Sequence, residues 1–201
     1  MPPYTLEELK RQDINKAIRE SLGESMVKIT PISVSLEDVM ECDDSEVTLK
    51  FVERLESHEK IECITSRGLG PIDALHIGLV DHYSERYPSL KNVKFGDFEA
   101  KVAHSKRGKI ESSDVVKIKM QFSNGSHRST TFRSSSNSFF TAATMVLLNS
   151  TQFYINCERA FKRLRFLHQE ASSRGRHDLV QNYTHLISEI VSVSSYTHLA
   201  D

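Results

Sequence analysis

Between residues 46 and 80 the spacing of apolar residues changes, and that change limits the folds open to this chain of 201 residues. Val47, Leu49 and Phe51 alternate with polar neighbours, the period of two expected of a half-buried strand, and residues 60–67 supply a hairpin partner. From Pro71 onward Ile72, Leu75, Leu79 and Val80 recur at helical spacing, and Pro88 favours an end to that helix. The switch falls on "SRGLGP", residues 66–71. A strand that turns into an amphipathic helix at a glycine-proline corner can bury both apolar faces by laying the helix back on its sheet.

The pattern is written a second time. Residues 92–105 are strand-like, 105–113 form a polar loop, and Val116, Ile118, Met120 and Phe122 alternate cleanly. Asn124-Gly125 favours a tight hairpin turn into the strand-like "HRSTTFRS". "SSSNS" (134–138) is a small-residue turn, and 139–157 is a long apolar helix. Overlaying Asp73 on Ser138 places the two corners about 65 residues apart, a repeat of pattern rather than of identity. The expected fold class is α+β: two pseudo-symmetric strand-strand-(strand)-helix units, helices packed on antiparallel sheets, with extra N- and C-terminal helices. The N-terminal helix rests on Leu6, Leu9, Ile14, Ala17, Ile18 and Leu22, while residues 24–45 show no single period. The division expected is 1–45 as N-terminal helix and linker, 46–156 as the repeated domain, and 157–201 as a helical tail broken near 172–175.

Composition narrows the function classes. Lys and Arg total 26 against 27 Asp and Glu, a formal charge of -1, so no general electrostatic case exists for nucleic acid or a membrane surface. Cys42, Cys63 and Cys157 are scattered and odd in number, which suits neither a disulfide framework nor a zinc knuckle. No run approaches the roughly 18 apolar residues of a membrane span, and the first residues are charged where a signal peptide is apolar. A soluble, cytoplasmic protein is expected, whose sequons at Asn124, Asn149 and Asn182 do not meet the glycosylation machinery. His76 and His82 lie about 240° apart on their helix, and no histidine has a metal-ligand spacing; neither metal nor cofactor is expected. "ERAFKRLRF" (158–166) reads either as a contact for RNA or an acidic partner, or as an amphipathic helix with a solvated basic side. The balanced charge favours the second.

The glycine corner is not a nucleotide motif. "GLGPID" lacks the lysine of a phosphate loop, and Asp73 stands where a dinucleotide fingerprint has its third glycine. Local physics instead makes Gly70 a helix cap, Pro71 the first helical residue and Asp73 an acidic third residue that complements the helix dipole. The N–H groups of such a start can hold a carboxylate, including that of an amino acid; a plain strand-to-helix corner needs the same glycines.

"GLGPIDAL" (68–75) resembles the G-x-G-P-x-D-A-L motif of the C-terminal regulatory domain of 2-isopropylmalate synthase and citramalate synthase. "SSSNSFFTAAT" (134–144) is similar to that family's second motif, G-x-S-x-[DN]-I-I-x-A-S, and "LLNS" (147–150) to its A-[LIV]-N ending. Ser134 replaces a glycine there, Ser138 an Asp or Asn, and Phe139 and Phe140 the two aliphatics. The resemblance spans about residues 46–156. It implies a homodimerising feedback domain that binds a branched-chain amino acid, leucine or isoleucine, near its interface. By the same resemblance Gly68, Gly70, Pro71, Asp73 and Ala74 form one half of the effector site, and Ser136 and Ala142 belong to the other. The family's catalysis, condensation of acetyl-CoA with a 2-oxo acid, lies in a metal-dependent barrel of about 250 residues. This chain is too short to contain it and has no H-x-H pair, so the resemblance implies no catalytic residue here and a barrel partner in cis or in trans. The alternative is a non-sensing interaction or scaffold module, possible also as an RNA binder.

Overall fold

The computed structural model describes residues 6–40, 44–103, 114–125, 129–193 and 196. Their order is α1 (Leu6–Leu22), β1 (Lys28–Val39), β2 (Asp44–Leu55), β3 (His58–Gly68), α2 (Pro71–Ser84), β4 (Val93–Ala103), β5 (Val115–Asn124), β6 (Ser129–Ser136), α3 (Phe139–Ser173) and α4 (His177–Val191). Two antiparallel sheets, β1-β2-β3 and β4-β5-β6, are each followed by a helix, so the chain is α+β and its repeat is strand-strand-strand-helix, twice. The loop expected at 105–113 and the chain end from 197 lie outside the described residues.

β1 completes the first unit. It pairs with β2 from Lys28↔Arg54 to Val39↔Asp44, so the expected boundary at 45/46 falls inside a hairpin and residues 28–39 belong to the first sheet. Its period is broken because the register shifts between Pro31 and Ser33; a proline at a bulge in an edge strand removes no needed ladder bond. β4 has its own irregularity between Phe95 and Phe98, so the first strand of each unit is a bulged edge.

The inner faces of the central strands make the core. Val47, Leu49 and Phe51 are fully buried on β2, as are Met120 and Phe122 on β5, each set alternating with more exposed neighbours as the pleat requires. Full burial of such side chains contributes about 1.5–3 kcal/mol each. α2 covers the first sheet through Leu75 and Leu79 and reaches the second, where the His76 ring lies 6.1 Å from that of Phe122.

α3 joins the units. It continues through the expected boundary at 156/157 because no glycine or proline interrupts it before the break at Arg174–Arg176, and its 35 residues extend about 52 Å. Asn156 accepts from the Val27 N–H at 2.8 Å and donates to the Val27 carbonyl at 2.9 Å, and Gln152 accepts from the Ile29 N–H at 2.8 Å. Side chains of α3 thereby satisfy the entering backbone of β1, a buried requirement that fixes one unit against the other. Glu158, wholly buried on α3, accepts from the Ser89 N–H at 3.0 Å and pairs with Lys162 at 2.6 Å.

Candidate functional site

The two strand-to-helix corners stand at matching places in the repeat but are built from different chemistry. In the first, Gly70 is the N-cap of α2 with φ +92° and ψ 163°, a region open essentially to glycine alone. Its N–H donates to the Gly68 carbonyl at 2.9 Å, and its own carbonyl accepts from the Ala74 N–H at 3.0 Å. Pro71 is the first helical residue, where the lack of an N–H costs nothing. The Asp73 carboxylate turns back and accepts from the Leu69 N–H at 3.0 Å, closing the corner.

Gly68 is required by packing rather than by its backbone angles. A Cβ there would lie 2.6 Å from the Ala74 nitrogen and 2.7 Å from Asp73 Oδ2. Further along α2, a Cβ on Gly78 would lie 2.4 Å from Ser66 Oγ, which donates to the Ala74 carbonyl at 2.6 Å. Sequence reasoning passed over Gly78, although a glycine inside an apolar helix is itself a sign of close approach. α2 is thus seated directly on β3, and Gly68, Gly70, Pro71, Asp73 and Ala74 form one contiguous turn. Only Ala74 of the five is fully buried, and Leu69 between the glycines is 80% exposed. Helix geometry leaves the N–H groups of Ile72 and Asp73 without intrahelical acceptors.

The second corner replaces glycine by hydroxyls. Ser138 is the N-cap of α3, in ordinary extended backbone, and its Oγ accepts from the Thr141 N–H at 3.2 Å. Ser136 Oγ accepts from the Ser138 N–H at 3.2 Å, and the Ala142 N–H donates to the Ser138 carbonyl at 3.0 Å. Matching the caps sets Gly70 against Ser138 and Ala74 against Ala142, both alanines fully buried. The overlay of Asp73 on Ser138 is corrected accordingly: the position equivalent to Asp73 is Thr141. Ser136 and Ala142 therefore do share one corner, and no direct contact joins them to the first among the described interactions.

Beside the second corner the first strand of its sheet carries uncovered apolar groups. Phe95 and Phe98 on β4 are each 40% exposed although they face inward, and the Phe98 ring stands 5.9 Å from Phe139 at the start of α3. Leu36 on β1, the matching strand of the other unit, is 41% exposed.

No known family and no curated protein matches this chain. The corners must be interpreted on their own geometry.

Titratable groups gather at the other end of α2. Glu53, on the inner face of β2, receives two hydrogen bonds from Arg86 at 2.9 and 3.2 Å, and the guanidinium lies 5.1 Å from the centre of the Tyr83 ring. Burial pushes the Glu53 carboxyl up, but the hydrogen bonds and charge of Arg86 outweigh it and leave the group below its ordinary range. Burial lowers His82, against the opposing charge of Glu62, and lowers His76 despite its hydrogen bond with the Val93 backbone. The Tyr83 hydroxyl is pushed far up by burial beside Glu53, which makes it inert as a base. This cluster ties β2 to the end of α2 and presents no nucleophile. Cys157 is buried, and burial raises its thiol beyond reactivity; Cys63 is exposed. No group of three or more metal-ligating side chains occurs among the described residues, and no described helix is long and apolar enough to cross a membrane.

Proposed function

We propose that this chain is a cytoplasmic regulatory domain that dimerises and binds a branched-chain amino acid, of the kind carried by 2-isopropylmalate and citramalate synthases in feedback control of branched-chain amino-acid biosynthesis. The observation that carries the reading is the pair of equivalent corners, each a helix start placed at the end of a strand. The resemblance in sequence falls on these two turns, and the strand-strand-strand-helix repeat sets them at equivalent positions. A ligand's α-carboxylate is suited to the N–H groups of Ile72 and Asp73 at the start of α2. A branched side chain is suited to apolar neighbours such as Leu69 and Ile72, and the exposed Phe95, Phe98 and Leu36 offer a second copy an apolar surface.

The mechanism would be linkage: the effector favours one arrangement of two copies over another, and about 1–3 kcal/mol of coupling is enough for useful control. The condensing chemistry would belong to a barrel joined to or associated with this domain. Asp73 already bonds the Leu69 N–H, so its part would be to hold the corner open in one shape and to receive the ligand's ammonium on its remaining lone pairs.

The alternative of an RNA contact through residues 158–166 is disfavoured by how those cations are used. Arg159 donates to the Ser25 carbonyl at 3.0 Å and Lys162 pairs with buried Glu158. Sedimentation with and without leucine, isoleucine and valine tests the proposal. A dimer whose association constant changes with one of the three is expected. A monomer indifferent to all three would overturn it.

A further inference from the structure

The first hairpin of each unit carries the same unfavourable pairing, with its sign reversed. The last described pair of β1 and β2 is Val39↔Asp44, and two pairs earlier Glu37 stands directly opposite Glu46. The last described pair of β4 and β5 is Ala103↔Val115, and two pairs earlier Lys101 stands directly opposite Lys117. Val47 and Ile118, the next residues along the central strands, are buried on the inner faces, so both like-charged pairs face outward from their sheets. Like charges set opposite one another across a ladder are destabilising.

Each pair is only half neutralised within its own sheet. Glu46 accepts from Arg67 at 2.7 Å, and Lys101 pairs with Glu99, which also reaches Lys119 at 3.6 Å. Glu37 and Lys117, both exposed, make no ion pair or side-chain hydrogen bond among the described residues. One chain thus presents an unanswered carboxylate on one hairpin and an unanswered ammonium at the equivalent place on the other, and does not join them. Asp38 and Asp44 add to the charge of the first end and Lys119 to that of the second, while Asp114, the residue before β5, is buried. Exposed apolar groups stand beside both: Leu36 and Met40 at the first end, Val102 and Val115 at the second. Complementary charge next to apolar surface is the composition of a contact between proteins, in which the charges choose partner and register and the apolar area contributes affinity.

We propose that this chain recognises a second copy of itself by setting the β1–β2 end of one copy against the outer β4–β5 end of the other, Glu37 of one meeting Lys117 of the next. The inference places the contact between copies. It rests on the self-association in the reading above and not on that reading's amino acid.

Sedimentation equilibrium of the full chain without any amino acid tests it, on the wild type, on Glu37→Lys, on Lys117→Glu, and on an equimolar mixture of the two variants. Each substitution puts an opposite-charge pair where its own ladder had a like-charged one, so neither variant should melt below the wild type. Each variant alone should self-associate at least about fivefold more weakly than the wild type at about 50 mM salt. In the mixture the introduced lysine of one variant faces the introduced glutamate of the other, while the retained Lys117 faces the retained Glu37. Its association should return to within about twofold of the wild type. A mixture no tighter than either variant alone overturns the proposal, as does a wild type that stays monomeric up to about 200 μM. Weakening in Lys117→Glu without weakening in Glu37→Lys also overturns it, because the lysines then meet some other anion. Association that responds to leucine but not to mixing counts against this inference alone, and recovery on mixing with no response to any amino acid counts against the earlier reading alone.

Discussion

The two corners solve one geometric problem in two ways. At residues 68–74 the chain turns from strand to helix with glycines, one because its backbone adopts φ +92° and one because the next turn of helix lies against it. At residues 136–142 the same turn is made in ordinary backbone, with Ser136 and Ser138 side chains bonding the N–H groups that the helix leaves open. The first solution leaves its helix start bare of side-chain caps from the cap residue itself, and so accessible to a ligand's carboxylate. The second fills the equivalent place with its own hydroxyl. In the proposed reading the first corner is therefore the stronger half of the site.

Substitutions should separate these two designs most sharply at Gly68. Gly68→Ala drives a Cβ into the α2 backbone and should cost about 3 kcal/mol in denaturant unfolding, whereas Ser136→Ala at the matching place should cost less than about 0.5. Equal losses would show that the corners do not differ as described. Next in size is the cap pair. Gly70→Ala is strained by about 1–3 kcal/mol, and Ser138→Ala loses a cap worth about 1. Replacement by glycine reverses the logic, since Ser138→Gly should cost only a few tenths of a kcal/mol.

Acid should also divide the units. His76 and His82 are held below their ordinary value of 6.5, so the unfolded chain takes up protons first and stability falls as the pH drops below about 6.5. Glu53, also lowered, adds a further loss as the pH falls through the ordinary carboxylate value of 4.5 and below. Two of the three, His82 and Glu53, lie against the first sheet, whereas His76 sits between the units, beside Phe122 of β5 and bonded to the Val93 backbone. Hydrogen exchange between pH 7 and 5 should show protection lost earlier in β2 and β3 than in β5 and β6. The smallest expected effect is that of His82→Gln, which should flatten this pH dependence by about one proton's share without changing stability above pH 7 by more than about 1 kcal/mol.

Much of this architecture can be read in the residues. Val47-Leu49-Phe51 and Ile118-Met120-Phe122 announce the central strands because one face of each is buried and the other is not. β1 hides its period because it is an edge strand, bulged at Pro31, with Ile32 and Leu36 partly exposed. The length of α3 is hidden for another reason: buried polar residues such as Asn156 and Glu158 interrupt its apolar pattern, and their partners, Val27 and Ser89, are far away in sequence. At the candidate site, the turn chemistry of Gly70 and Pro71 is legible from local rules alone. The need for glycine at 68 and 78 is tertiary, and the pairing of Asp73 with the Leu69 N–H rather than with the helix start follows only from the fold.

The central claim, that the glycine corner receives a branched-chain amino acid, is tested most directly by calorimetric titration of leucine, isoleucine and valine into the chain and into its Asp73→Arg variant. Saturable binding of at least one of the three, lost in Asp73→Arg while circular dichroism shows the fold retained, is the predicted result. No binding of any of them, or binding that Asp73→Arg leaves unchanged, would contradict it.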